Sequence, residues 1–416
     1  MSGSVNVSAE SLALAFDRAA KHEVNGFESA TSSGDAEQRR FVSDLKHTVR
    51  QLAGRHTEAG ILDAVDDKSI SLAQSFLAEH GTELGGDVEE TRDGFEAKFD
   101  ALDPGWIWSL RTWTLQCERH PFIDAAPGAQ AIADGYRIAV LSDWGTGLYG
   151  APTCAKSIEK SACDLVLHLG DVYYSGTPAE VDKRFLDIWP RHATAASRAL
   201  NGNHEMYSGG GAYFKRILKN ARFSQPASYF ALHNEHWLLV GLDTAYDEHD
   251  LHGGQVAWLN ALAAQFPRHR ILLFSHHQPF STYESQGFLL TQKLAPLLKD
   301  RRIAAWYWGH EHSCLRYDLH ANWQMYGRCV GHSGFAYPRL VKDGRLAEPG
   351  WVTFGSKAGM PGGQVLDGPN RYSSANPAAY GPNGYVTLEL HGERLIETYR
   401  HPSGDVIDAL ELEFDL

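Results

Sequence analysis

The sequence predicts an α/β protein in which helices come first, strands and helices then alternate, and strands close the chain. Three observations carry this. From Tyr136 onward, short apolar runs alternate with amphipathic stretches, the pattern of strand–helix units. Beyond Gln324 the chain reads as strands, ending in a meander over 385–390, 394–399 and 406–412 that would close a second sheet. The first 105 residues show apolar residues at helical spacing instead.

That N-terminal stretch divides into four periodic runs: Leu12, Phe16 and Ala19; Phe41, Leu45 and Val49; Leu62, Val65, Ser69, Leu72 and Phe76; and Phe95, Phe99 and Leu102. Breaks at Ser32-Ser33-Gly34-Asp35, Gly54 and Gly85-Gly86 separate them. Residues 1–105 are therefore expected as a helical region, a small bundle or a cap. A Trp-rich connecting segment, 106–135, follows Asp103-Pro104-Gly105. Its Trp106, Trp108 and Trp113 read as the seam between two packed units rather than as a ligand platform. Residues 136–416 are expected as the second domain.

Within it, one strand end after another presents a polar side chain. The run Ile138-Ala139-Val140-Leu141 leads to Ser142-Asp143-Trp144-Gly145, and 164–169 leads to Gly170-Asp171-Val172-Tyr173-Tyr174. Ala199-Leu200 leads to Asn201-Gly202-Asn203-His204-Glu205. The runs 271–274 and 303–308 lead to Ser275-His276-His277-Gln278-Pro279 and Gly309-His310-Glu311-His312. Asp171 by itself reads equally well as a helix cap or as a ligand. Five loops that together supply Asp143, Asp171, Asn203, His276, His310 and His312 tip the balance toward metal. Two ions about 3.5–4 Å apart need six or more such groups, one of them a bridging carboxylate. Between 355 and 384 the chain is rich in Gly, Pro and Ser and is expected as a loop.

Composition narrows the classes. The 416 residues carry a net charge of −13, which argues against nucleic-acid or anionic-membrane partners. It leaves an anionic substrate open, because bound cations reverse the local field. The five cysteines are scattered without a CxxC pair, which suits reduced thiols. No basic and apolar leader and no membrane-length apolar run is visible, so a cytoplasmic location is expected.

The five ordered motifs resemble those of the calcineurin-like metallophosphoesterases, and most closely the small single-domain purple acid phosphatases. The likeness covers roughly 136–335 and includes Asp182-Lys183-Arg184-Phe185 and Leu242-Asp243-Thr244. It implies a four-layer αββα sandwich of two mixed β-sheets flanked by helices. It also implies a binuclear centre that hydrolyses phosphomonoesters, with a metal-bound hydroxide as nucleophile. Asp143, Tyr174 and His312 would hold one metal, Asn203, His276 and His310 the other, and Asp171 would bridge them. His204 would be the catalytic residue beside the phosphate. His277 and Glu205 would line the substrate pocket or support the ligands. A phenolate from Tyr174 suits Fe(III) at the first position, and the second suits a divalent Zn, Fe or Mn.

Two departures stand out. Ser142 replaces the usual Gly, and Gly145 stands where diesterase relatives carry His, which favours the monoesterase branch. An Asp-Arg-Gly run after Asp171, expected of protein phosphatases, is missing. The partner expected is a small phosphorylated substrate. Alternatives are a phosphodiesterase or nucleotide pyrophosphatase on the same site, or a non-catalytic interaction module on the same fold.

Overall fold

The computed structural model describes residues 5–8, 11–16, 67–80, 87–91, 94–98 and 110. It also describes 113–414, with short interruptions at 146, 148–149, 193, 224, 285–286, 336, 358 and 373–376.

Two mixed sheets form the body. One has nine strands in the order Gly350–Phe354, Gly363–Asp367, Cys314–Tyr317, Tyr326–Val330, Ile303–Trp308, Arg270–Ser275, Trp237–Gly241, Phe230–His233 and Gln130–Ala131. The other has six, in the order Val406–Leu412, Arg394–Arg400, Tyr385–His391, Tyr136–Leu141, Leu165–His168 and Ala196–Ala199. The strands that end in chemistry run parallel: 136–141 beside 165–168 beside 196–199, and 237–241 beside 270–275 beside 303–308. Parallel strands put all their carboxyl ends on one edge, where ligands of open α/β sheets sit.

The period-two alternation of these strands creates four layers. Ile138, Val140, Leu165 and Leu167 face Leu239, Leu272, Phe274 and Tyr307 between the sheets. The alternate residues Ala139, Leu141 and Val166 pack outward on Ala151, Cys154, Ile158, Phe185 and Trp189. Leu238, Val240, Ile271, Leu273 and Trp306 pack outward on Trp258, Leu259, Leu262 and Leu290. Helices thus cover both outer faces. Burial on both faces explains why the central strands read as near-continuous apolar runs. No helix among the described residues is long and apolar enough to cross a membrane.

Three expectations need correcting. The 355–384 stretch contains the strand Gly363–Asp367, whose Leu366 and Val365 are buried in the two cores. The closing meander belongs to the same sheet as Tyr136–Leu141, pairing through Val386 with Val140. The helix expected over Phe95, Phe99 and Leu102 is overturned at Phe95, which lies in the strand Gly94–Lys98, paired antiparallel to Asp87–Thr91 and parallel to Val5–Asn6, while Phe99 and Leu102 lie outside the described residues. Asp93-Gly94 between the two short runs is a hairpin signal that outweighs one i,i+4 pair of phenylalanines. Helices occupy 11–16 and Lys68–His80. The run Phe41, Leu45, Val49 lies outside the described residues, as do Trp106 and Trp108. Trp113 meets Phe76 of the 68–80 helix edge-on at 5.8 Å.

Candidate metal centre

Six of the seven expected ligands converge where the sheets' parallel edges meet. The two carboxylates come first, since both are fully buried. Each has one oxygen tied to backbone: His310 N–H donates to Asp143 Oδ2 at 2.9 Å, and His204 N–H donates to Asp171 Oδ1 at 3.0 Å. The other oxygens are thereby aimed inward. Asp143 Oδ1 lies 3.5 Å from His312 Nε2, and Asp171 Oδ2 lies 3.3 Å from His276 Nε2.

Backbone conformation enforces this aim. Asp143, Asp171, His310 and His312 all have positive φ, at 52°, 74°, 67° and 51°. Non-glycine residues in that region carry strain that surrounding structure must hold, and such residues cluster at functional sites. The adjoining glycines make room. A Cβ on Gly202 would stand 2.1 Å from Asp171 Oδ1, and one on Gly309 would stand 2.7 Å from Asp143 Oδ2.

The imidazoles are oriented too. His276 Nδ1 pairs with the Leu169 carbonyl at 3.1 Å, which leaves Nε2 to face Asp171 and, at 2.9 Å, Asn203 Oδ1. A ring nitrogen donated to a backbone carbonyl is how metal-binding histidines are held. Asn203 is held in turn, its Nδ2 donating to Tyr207 at 2.8 Å. Donor atoms of Asp143, Asp171 and His312 lie within 4.8 Å of one another, and so do those of Asp171, His276 and His310. Asp171 is common to both groups.

The tyrosine differs from expectation. The phenol facing the carboxylates is that of Tyr173, which donates to Asp171 Oδ2 at 3.0 Å and lies 3.2 Å from Asp143 Oδ1 and against His312. Tyr174 turns away. Its hydroxyl accepts the Val7 N–H at 3.2 Å, and the Arg184 guanidinium lies 5.1 Å above its ring. The loop decides which phenol faces inward. Glu180 accepts the N–H groups of Tyr174, Ser175 and Thr177 at 2.7, 3.0 and 3.1 Å, pinning the chain just beyond Tyr173. Ser75 on the 68–80 helix donates to the same carboxylate at 2.9 Å.

His204 sits beside the pair. Its Nδ1 meets the Tyr174 carbonyl at 2.5 Å and its Nε2 is 3.9 Å from Asp171 Oδ2. Glu205 lies behind the centre, where its Oε2 accepts the N–H groups of Asp171 and Gly202, each at 3.1 Å. It supports the Asp171 loop. His277 is buried against Thr244, with Nδ1 3.1 Å from Oγ1. Sequence reasoning missed the roles of Tyr173 and Glu180, although each lies in or beside a motif it singled out.

Electrostatics favour a cation. Burial pushes the Asp143 carboxyl up to about 7. Burial works against ionised Asp171 as well, yet His276 and His204 outweigh it and hold that carboxyl well below the usual range. His276 answers in kind: burial lowers it, but Asp171 carries it up to about 10. One Tyr173 hydroxyl proton serves two carboxylate oxygens and an imidazole, so the cluster is rich in acceptors and short of positive charge. Metal ions fit that deficit.

Residues 136–314 match the family model of the calcineurin-like phosphoesterases. The matched segment begins at the strand that delivers Asp143 and ends just past His312. The chain is also similar to the pig (Sus scrofa) tartrate-resistant acid phosphatase type 5, at 24% identity over 218 residues, 42% of this chain and 64% of that protein. Among solved structures it is similar to a purple acid phosphatase from yellow lupin (Lupinus luteus) seeds, with 14% identity and TM-score 0.47 over 67% of this chain and 54% of that one. It is similar too to a dimetal phosphatase from Danio rerio, with 12% identity and TM-score 0.43 over 68% of this chain and 100% of that one. The chain thus spans less than two thirds of the pig and lupin relatives' lengths.

Proposed function

We propose that this calcineurin-like phosphoesterase segment makes the chain a binuclear, metal-dependent hydrolase of phosphoric monoesters. The observation that carries the reading is the pair of donor groups sharing Asp171, built from four separate strand ends, with Asn203 added from a fifth. Asp143, Tyr173 and His312 would hold one ion, and Asn203, His276 and His310 the other, with Asp171 between them. The phenolate of Tyr173 is a hard anionic donor suited to Fe(III), and the nitrogen-rich second set suits a divalent Zn, Fe or Mn. When bound, the ions supply charge neutralisation for the phosphoryl oxygens and activation of water.

The chain's own groups do the rest. The backbone N–H groups of His204 and His310 keep the two carboxylates aimed inward. His204, held through Nδ1 by the Tyr174 carbonyl, can carry a proton at Nε2 and deliver it to the leaving oxygen. Small loss of geometry costs such a site heavily, which accounts for the density of backbone ties around it.

The test is turnover of an aryl phosphate monoester and the matching diester by metal-reconstituted protein. Preference for the monoester supports the reading; a diester preference moves it to phosphodiesterase chemistry; no turnover of either, with both ions bound, overturns it.

A further inference from the structure

The loop that follows the strand Trp237–Gly241 brings one more imidazole to the centre. His249, at φ 58°, packs its ring at a tilt 4.0 Å from that of His277 and edge-on 5.3 Å from that of His310. His277 and His310 are themselves 4.8 Å apart, centroid to centroid. One nitrogen from each of the three lies within 4.8 Å of the other two. This group shares only His310 with the inner donor set.

His277 supplies the second observation. The residue is fully buried, and its Nε2 has no hydrogen-bond partner. A buried polar atom left unmet is costly, and a ligand at that nitrogen would remove the cost. Thr244 accounts for the other nitrogen: Nδ1–H donated to Oγ1 leaves the Nε2 lone pair available. The carboxylate of Glu284 stands 3.3 Å from His310 Nε2, adding negative charge beside the group.

We propose that His249, His277 and His310 bind a further divalent ion of the Zn²⁺ class, separate from the two inner ions. Three imidazoles with no thiolate suit zinc, copper or nickel better than magnesium or calcium. Their nitrogens need only draw in to about 2.0–2.1 Å from a common point, and three protein ligands leave a fourth position open to water or an anion. Sharing His310 would take its imidazolate, one ring nitrogen toward each ion and the ring proton released to solvent, which makes this the most weakly held of the three ions. The site stands apart from the hydrolase reading, because it is detected by counting metal rather than by turnover.

The experiment loads the full chain with Zn²⁺ and counts retained equivalents by elemental analysis at equal free zinc. His249→Asn removes the ring and keeps a residue at home at positive φ. It should retain one equivalent fewer than the parent. His277→Gln should do the same and guards against misfolding of either variant. Asn203→Ala, outside the outer group, should lose an inner ion instead, and the His249→Asn/Asn203→Ala double variant should lose two. Equal zinc in parent and His249→Asn overturns the proposal. So does a double variant that loses a single equivalent, since one ion would then be served by both sets. A protein that keeps the outer zinc yet cleaves no phosphoester would leave this inference standing and sink the hydrolase reading alone.

Discussion

The Tyr173 hydroxyl donates to Asp171 Oδ2 at 3.0 Å, two residues along the same loop, while its neighbour Tyr174 accepts a backbone N–H from Val7. Family resemblance assigns the phenolate to Tyr174, and the folded loop presents Tyr173. The two assignments separate cleanly. In protein reconstituted with Fe(III), Tyr173→Phe should abolish the visible phenolate-to-iron absorption, whereas Tyr174→Phe should keep it. The reverse pattern would return the ligand role to Tyr174.

Asp171 is common to both inner donor groups. Asp171→Asn should therefore lower bound metal by at least one equivalent and remove turnover. A variant that keeps full occupancy would show that the carboxylate does not bridge.

His204 touches the centre without belonging to either donor group. His204→Ala should keep the metal content of the parent and lower kcat by about 10²–10⁴-fold, the span of one lost general acid. Loss of metal in this variant would make His204 a ligand.

Glu180 carries three backbone N–H groups, the Ser75 hydroxyl and, at 3.6 Å, the buried Arg184 guanidinium. Glu180→Gln removes the carboxylate charge that faces that cation, and breaking a buried pair in this way costs about 3–5 kcal/mol. Denaturant unfolding should show the loss. The same variant should weaken metal retention, because the loop it pins delivers Asp171 and Tyr173. Unchanged stability would mean that water reaches Arg184.

His332 is buried with Nδ1 unpartnered, and burial, helped by His401, pushes its pKa down to about 3. In the fold it stays neutral; unfolded, it takes a proton below about pH 6.5. Its stabilising effect is complete above that pH and is lost as pH falls toward 3, at about 1.4 kcal/mol per pH unit. His332→Gln should reduce the acid slope of unfolding free energy by about one proton. An identical slope would place the proton uptake elsewhere.

Most of the centre is legible in the sequence because its ligands follow buried strands directly. An apolar run ending in Gly170-Asp171 or Gly309-His310 leaves few places for the side chain to go. Tyr173 and Tyr174 are a different problem. The two phenols are adjacent in a turn, and Glu180 settles which one faces inward through contacts no motif encodes. The positive φ values of Asp143, Asp171, His310 and His312 leave no trace in composition, since they are imposed by backbone ties such as Asp143 N–H to the Gly170 carbonyl at 3.0 Å. His249 lies in a polar turn with nothing periodic around it. At the N-terminus the helical spacing of Leu72 and Phe76 is real, whereas at Phe95 the helical pattern is outweighed by pairing with a partner strand.

The inner donors come from both sheets: Asp143, Asp171 and Asn203 follow strands of the six-stranded sheet, and His276, His310 and His312 follow strands of the nine-stranded one. Neither sheet alone contains a complete set for either ion. On the proposed binuclear reading, metal uptake would be a late event in the life of the chain, possible only after both halves have formed and docked. A bound pair of ions would then certify that assembly, and a chain that stalls with one sheet formed would be recognisable by its failure to load.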